Sequence, residues 1–179
     1  MIWWAVPVLA GLILVLWLRR LWLRRRSYSE RASRPRELAN AELVCMEKLF
    51  RIRAPIRLVA KVDRVYRLPG GSLVLVELKT RWRDRAYPSD VIQLSAQKIA
   101  IERQTGEVVE PFAFVSVLRP TFRRHWTSYR VRLLEEDRVV ALAQRRTQIL
   151  ASQVEPTYAS SVRACAGCAF RVKCDHFAR

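Results

Sequence analysis

The chain has 179 residues, 51% of them hydrophobic, enough for one modest domain plus an appendage. Its formal net charge of +17 favours polyanionic partners, nucleic acid first and anionic lipid second, and says little about fold. No P-loop, Gly-rich dinucleotide fingerprint or G-x-S-x-G sequence occurs, so the usual signatures of those chemistries are excluded.

Residues 2–18, IWWAVPVLAGLILVLWL, contain no charged or polar side chain. As a helix the run would reach about 26 Å, close to a bilayer core. Trp3, Trp4, Trp17 and Trp22 lie near its two ends, and Arg19, Arg20, Arg24, Arg25 and Arg26 follow it. A cleaved signal peptide has the opposite order, with charge first. The expectation is a transmembrane anchor over residues 1–23. The arginines place its C-terminal side in the cytoplasm, making this a single-pass protein of the cell inner membrane in contact with lipid. Without those five arginines, 28 basic side chains still face 16 acidic ones. Residues 24–37 read as a basic juxtamembrane linker broken by Pro35.

A domain is expected over 38–153. Leu38, Ala41, Val44, Cys45, Leu49 and Ile52 recur at three- and four-residue steps, predicting a helix over 37–52 that stops before Pro55. The period then changes. Ile56, Leu58, Ala60 and Val62 alternate with Arg57, Val59 and Lys61, predicting a strand that runs into Asp63. After the turn Pro69-Gly70-Gly71-Ser72, the nearly continuous apolar run Leu73–Val76 leads into Glu77-Leu78-Lys79. It predicts a strand buried on both faces and joined to its predecessor as a hairpin. Residues 89–104 read as a helix with Ser89 as N-cap, Phe112–Leu118 and Ser128–Leu134 as strands, and 135–153 as a second helix. This order predicts an α/β fold, a small mixed central sheet flanked by helices.

Side chains alternate along a strand, so Glu77 and Lys79 emerge on one face and Leu78 on the other. Burying both charge signs there is costly without partners, and the hairpin can bring Asp63 beside them. Two carboxylates and an ammonium around one pocket suit phosphodiester hydrolysis. The carboxylates bind a hard cation such as Mg²⁺, and the lysine offsets developing charge or orients the nucleophile. An ordinary ion pair at a strand end is the plain alternative for E-x-K alone. Arg81, Trp82, Arg83 and Arg85, with Arg119, Arg123, Arg124, His125 and Trp126, form two basic, aromatic loops suited to phosphates and unpaired bases.

From Val59 to Glu102 the chain resembles the PD-(D/E)XK nuclease superfamily, in particular its RecB-like and Cas4-like branch. The resemblance rests on Val-Ala-Lys-Val-Asp63, Leu-Val-Glu77-Leu-Lys79-Thr-Arg and Ile-Gln93-Leu. It implies a restriction-endonuclease-like domain with Asp63 and Glu77 on Mg²⁺ or Mn²⁺, Lys79 at the scissile phosphate, and Gln93 shaping the site. DNA would be the substrate, with other DNA-processing proteins as further partners. Where the family often has a tyrosine four residues beyond that glutamine, this chain has Gln97. For the acidic group that many members carry on a first helix, Glu47 and Glu42 are the candidates.

Cys165-x2-Cys168-x5-Cys174 lies in the tail 154–179, and Cys45 lies upstream. In a cytoplasmic domain such spacing argues for metal ligation over disulfides. The resemblance implies a [4Fe–4S] cluster on Cys45, Cys165, Cys168 and Cys174, while His176 allows a Cys3His zinc site. The whole predicts a membrane-anchored, metal-dependent DNA nuclease. Its rivals are a non-catalytic, membrane-tethered nucleic-acid-binding protein of the same fold and a membrane-bound scaffold.

Overall fold

The computed structural model describes residues 14, 15, 17, 30–120, 125–158, 162–166, 168 and 171–174. The chain divides into two units, Met1–Val139 and Val140–Arg179. In the first, strands β1 (Glu42–Ile52), β2 (Leu58–Arg67), β3 (Leu73–Thr80), β4 (Phe112–Leu118) and β5 (Trp126–Arg132) form one sheet in the order β1-β2-β3-β4-β5. All neighbours pair antiparallel except β3 and β4, which run parallel and are connected through helix α1 (Pro88–Thr105). Helix α2 (Glu136–Leu150) continues into the second unit, which also holds the short helix α3 (Val162–Ala166).

β3 occupies the centre of the sheet, and its residues Leu73–Glu77 are all buried, which accounts for its unbroken apolar composition. Leu73 and Leu75 face α1, where they join Val62, Leu94, Ile101 and Val115 in the larger core. Val74 and Val76 face the other way, onto Leu38, Ala41, Tyr66 and Phe114. The β2–β3 turn is closed by the Leu68 N–H on Ser72 O at 2.9 Å, and Gly71 supplies the positive φ of 91° that it needs.

α1 starts one residue earlier than its sequence suggests. Pro88 takes the first helical position and Tyr87, with extended dihedrals, is the cap instead of Ser89. The Asp90 carboxylate accepts the Tyr87 N–H at 2.8 Å, and Gly106, at φ 75°, closes the far end.

Two expectations are corrected. The segment over 37–52 is a short 3-10 turn (Arg36–Leu38) followed by β1, not a helix. Its helical spacing is overridden by pairing with β2 from Glu42↔Arg67 to Ile52↔Leu58. The alternation that would have announced a strand is broken twice, by a register shift between Leu43 and Cys45 and by Glu47 at φ 54°. The second correction concerns the membrane. Among the described residues, no helix is long and apolar enough to cross a bilayer, so a fold preceded by one transmembrane helix and a single-pass inner-membrane location are not upheld. Of the run 2–18, only Leu14, Val15 and Trp17 lie among the described residues; they are helical and exposed.

On the sheet face away from α1, residues 30–34 are tied down by polar contacts. Arg64, buried on β2, donates to Glu30 O at 3.0 Å and to Ser33 Oγ at 2.7 Å. The Glu30 carboxylate accepts from Tyr66 Oη at 2.6 Å and Arg34 Nε at 2.8 Å. Burial alone would raise the Glu30 carboxyl, but these two donors outweigh it and hold it below the ordinary range. Tyr66, buried against that carboxylate, is pushed up to about 12. A carboxyl depressed in the folded state stabilises the fold above its unfolded pKa, and the contribution disappears as pH falls through the folded value. Glu30→Gln is therefore expected to cost roughly 1.5–3 kcal/mol at neutral pH, as for a hydrogen-bonded charge. It should also flatten the stability profile below about pH 5, read by urea unfolding across pH.

Candidate active site

β2 and β3 are in register only from Arg67↔Leu73 to Arg64↔Val76, and beyond that pair they separate. The alternation of β2 also slips here: Ala60, Val62 and Val65 face α1, whereas Tyr66 faces the smaller core. Asp63 stands at the parting point. Its Oδ2 accepts the Leu78 N–H at 2.8 Å, supplying the acceptor that a continued ladder would have provided.

Glu77 is only 3% exposed, on the β3 face turned to α1, while Leu78 packs into the smaller core. Three donors hold its carboxylate. Lys79 Nζ and Gln93 Nε2 both reach Oε1 at 2.7 Å, and Gln97 Nε2 reaches Oε2 at 3.0 Å. Lys79 Nζ also donates to Gln93 Oε1 at 3.0 Å. These bonds fix the Gln93 amide, since its oxygen must face the ammonium and its nitrogen the carboxylate. Gln93 and Gln97 are one helical turn apart, so α1 presents both to the same carboxylate.

The structure thus brings Asp63, Glu77, Lys79 and Gln93 together. Burial pushes the Asp63 carboxyl above its ordinary range; the Leu78 N–H pulls it back, Glu77 and Glu47 push it further, and Lys79 pulls it back. Glu47 falls between the pairs Met46↔Arg64 and Lys48↔Val62, level with Asp63, and is ion-paired to Lys61. Glu42 pairs opposite Arg67, several residues along β2, and lies outside the cluster.

Gln97, read from the sequence only as a departure from the family's tyrosine, has a role that the sequence did not show. It is 2% exposed and donates to both Glu77 Oε2 and, at 2.9 Å, Lys61 O, so it ties the β2 backbone to the buried carboxylate. Its Oε1 is buried without a partner among the described residues. Its position a turn beyond Gln93, where the family often has a tyrosine, was the available signal.

Arg81 is taken up by structure. Its guanidinium donates to Asp90 Oδ2 at 2.7 Å and Oδ1 at 3.3 Å and lies 4.4 Å over the Tyr87 ring. Burial works against the Asp90 charge, but Arg81 and the Tyr87 N–H hold its carboxyl below the usual range. Trp82, by contrast, is 73% exposed. Arg123 and Arg124 lie outside the described residues.

Cys45 sits half-buried on β1, where burial raises its thiol. In the second unit, Cys165, Cys168 and Cys174 are linked by successive turns, with the Cys168 N–H on Cys165 O at 3.1 Å and the Cys174 N–H on Arg171 O at 3.2 Å. Among the described residues, no three His, Cys, Asp or Glu side chains gather to hold a metal ion. His176 lies outside the described residues.

A family model described as the PD-(D/E)XK nuclease superfamily matches residues 4–175, nearly the whole chain. The chain belongs to this superfamily. The match is to the superfamily as a whole and does not single out the RecB-like and Cas4-like branch. A PD-(D/E)XK nuclease has a nucleic acid as its substrate class and typically uses a divalent metal such as Mg²⁺ or Mn²⁺. Among solved structures, SSO0001 is similar with a TM-score of 0.51 at 19% identity, covering 90% of this chain and 70% of that one. A protein of Eubacterium rectale named "Putative exonuclease" is similar at 14% identity and a TM-score of 0.47, covering 79% of this chain and 58% of that one. No curated protein matches at a significant level.

Gln97→Leu removes the donor to the buried Glu77 carboxylate and to the part-buried Lys61 O while nearly conserving volume. It is expected to destabilise the fold by about 1–3 kcal/mol, measured by urea unfolding. An unchanged midpoint would mean that water replaces both bonds.

Proposed function

We propose that the chain is a divalent-metal-dependent deoxyribonuclease, in which Asp63 and Glu77 hold Mg²⁺ or Mn²⁺, Lys79 acts at the scissile phosphate and Gln93 shapes the site. The observation that supports this best is the convergence of both carboxylates and the ammonium at the parting of β2 and β3. The donor set suits a hard cation. No hydrogen bond to Asp63 Oδ1 is formed among the described residues, and Glu77 Oε2 accepts only from Gln97, leaving it a second lone pair. The crowding of Asp63 by Glu77 and Glu47 is excess negative charge of the kind a cation relieves.

When bound, such a metal lowers the pKa of a coordinated water and polarises the phosphate. The protein's own groups do the positioning. Two of the three Lys79 donors are engaged, by Glu77 and Gln93, and the third is left for an oxygen of the phosphate or the attacking water. Gln93 holds Lys79 and Glu77 in fixed relation, so neither side chain must reorganise as negative charge develops. Glu47 is the better placed of the two further acidic candidates, being level with Asp63.

Full-length protein is expected to cut linear or circular DNA in Mg²⁺ or Mn²⁺ and to stop on addition of EDTA. Asp63→Ala and Glu77→Ala should each lower the rate by at least about 100-fold, the scale for removing one transition-state contact, while DNA binding at low salt persists. Undiminished cleavage by Glu77→Ala would sink the site assignment. Binding by the wild type without cleavage in either metal would favour the non-catalytic nucleic-acid-binding reading.

We also propose a structural metal site on the tail cysteines, a [4Fe–4S] cluster or zinc, supported by the Cys165-x2-Cys168-x5-Cys174 spacing. Protein purified without air should carry iron with sulfide, or zinc, and Cys168→Ser should lose it. The same assay on Cys45→Ser reports whether that thiol takes part. Metal-free wild-type protein with an undiminished melting temperature would count against the site.

A further inference from the structure

A cavity of about 470 Å³ opens beside the C-terminal turn of α1, lined by residues 51–55 with Arg103 and Gln104. Three of its seven lining residues are arginines, and no carboxylate is among them. Glu136 pairs with Arg103 at 2.6 Å and partly neutralises it, which leaves Arg51 and Arg53 as the cations that can act on a ligand. Both walls are fixed relative to each other, because the Arg51 N–H donates to Gln104 Oε1 at 2.7 Å across the gap between β1 and α1. The carbonyl end of α1 repels an anion weakly and only within its last turn, so the guanidinium charge dominates.

The cleft and the cluster around Glu77 share one helix. Gln93 and Gln104 are eleven residues apart on α1, an axial distance of about 16 Å. A duplex rises about 3.4 Å per base pair along its axis and its strands also wind round that axis, so a strand covers such a distance within a few nucleotides.

We propose that this cleft is a backbone subsite, in which Arg51 and Arg53 bind phosphodiester oxygens of the nucleic acid a few nucleotides from the phosphate presented to Asp63, Glu77 and Lys79. The proposal rests on the nucleic-acid reading given above. Contacts of this kind position a strand without reading its bases, so the grip is independent of sequence. Arginine suits the task, since its planar fork pairs with two phosphate oxygens at once and stays charged at any working pH.

The test compares full-length wild type with R51A/R53A, the charge-retaining R51K/R53K, and R36A/R130A. The last pair removes equal charge elsewhere: Arg36 belongs to the 3-10 turn next to Leu38, and Arg130 lies 3.8 Å over the Phe112 ring, both on the face away from α1. Binding of a 24-base-pair duplex is followed by fluorescence anisotropy without divalent metal, across salt concentrations. R51A/R53A should bind about tenfold more weakly than wild type near 0.1 M salt, with a log K against log salt slope shallower by about 1–2. R36A/R130A and R51K/R53K should keep the wild-type slope to within about half a unit. Equal losses in R51A/R53A and R36A/R130A would overturn the subsite and leave the nuclease reading intact. Wild-type duplex that binds with the expected slopes but is never cut in Mg²⁺ would overturn the catalytic reading and leave the subsite standing. Melting curves establish that each variant folds, and R51Q/R53Q replaces the alanine pair if that pair does not.

Discussion

The site depends on a backbone ladder that stops. β2 and β3 are hydrogen-bonded neighbours up to Arg64↔Val76, and past that point each strand has a free edge in the interior of the sheet. A buried, unpaired N–H is among the costlier defects a fold can carry. Asp63 resolves it by accepting the Leu78 N–H with one oxygen, which draws its carboxylate to the strand that bears Glu77 and Lys79. A fully paired β3 would have its polar edge satisfied by β2 and no room for an acidic pair.

α1 completes what the strands begin. Its sheet-facing side carries Leu94 and Ile101 into the core and, on the same side, Gln93 and Gln97 to Glu77. Truncating a buried leucine such as Leu94 costs about 2–5 kcal/mol, comparable with the several hydrogen bonds that hold Glu77, so packing and polar satisfaction contribute on the same scale. The helix is held in turn by its first turn, where Asp90 receives both the Tyr87 N–H and the Arg81 guanidinium.

Much of this was legible in the sequence. The apolar run of β3, the turn at Gly71, the strand Phe112–Leu118 and the helix bearing Gln93 all follow local rules, and the structure has them within a residue or two. β1 did not follow them, because its two irregularities destroy the alternation by which a strand is recognised, leaving an accidental helical spacing. The juxtaposition of Glu47 with Asp63 could not be foreseen for the same reason, since it depends on register. Gln97 was visible only as a missing tyrosine; that an amide there reaches both Lys61 O and Glu77 depends on the approach of β2 to α1. The apolar run 2–18 was read as an anchor from its length, its tryptophans and the arginines that follow it, and no described helix meets the requirement for a span.

The grip of Arg64 on Glu30 O and Ser33 Oγ bears on Asp63, its immediate neighbour. One residue is anchored on the face away from α1 and the next to the backbone of β3, so rolling β2 about its own axis at this point would break both contacts. The aim of the carboxylate is thereby set in part by contacts on the sheet face away from α1. The β1–β2 connection over residues 53–57 can change length or charge without turning that aim, which leaves the proposed backbone contact and the proposed cleavage site free to vary separately.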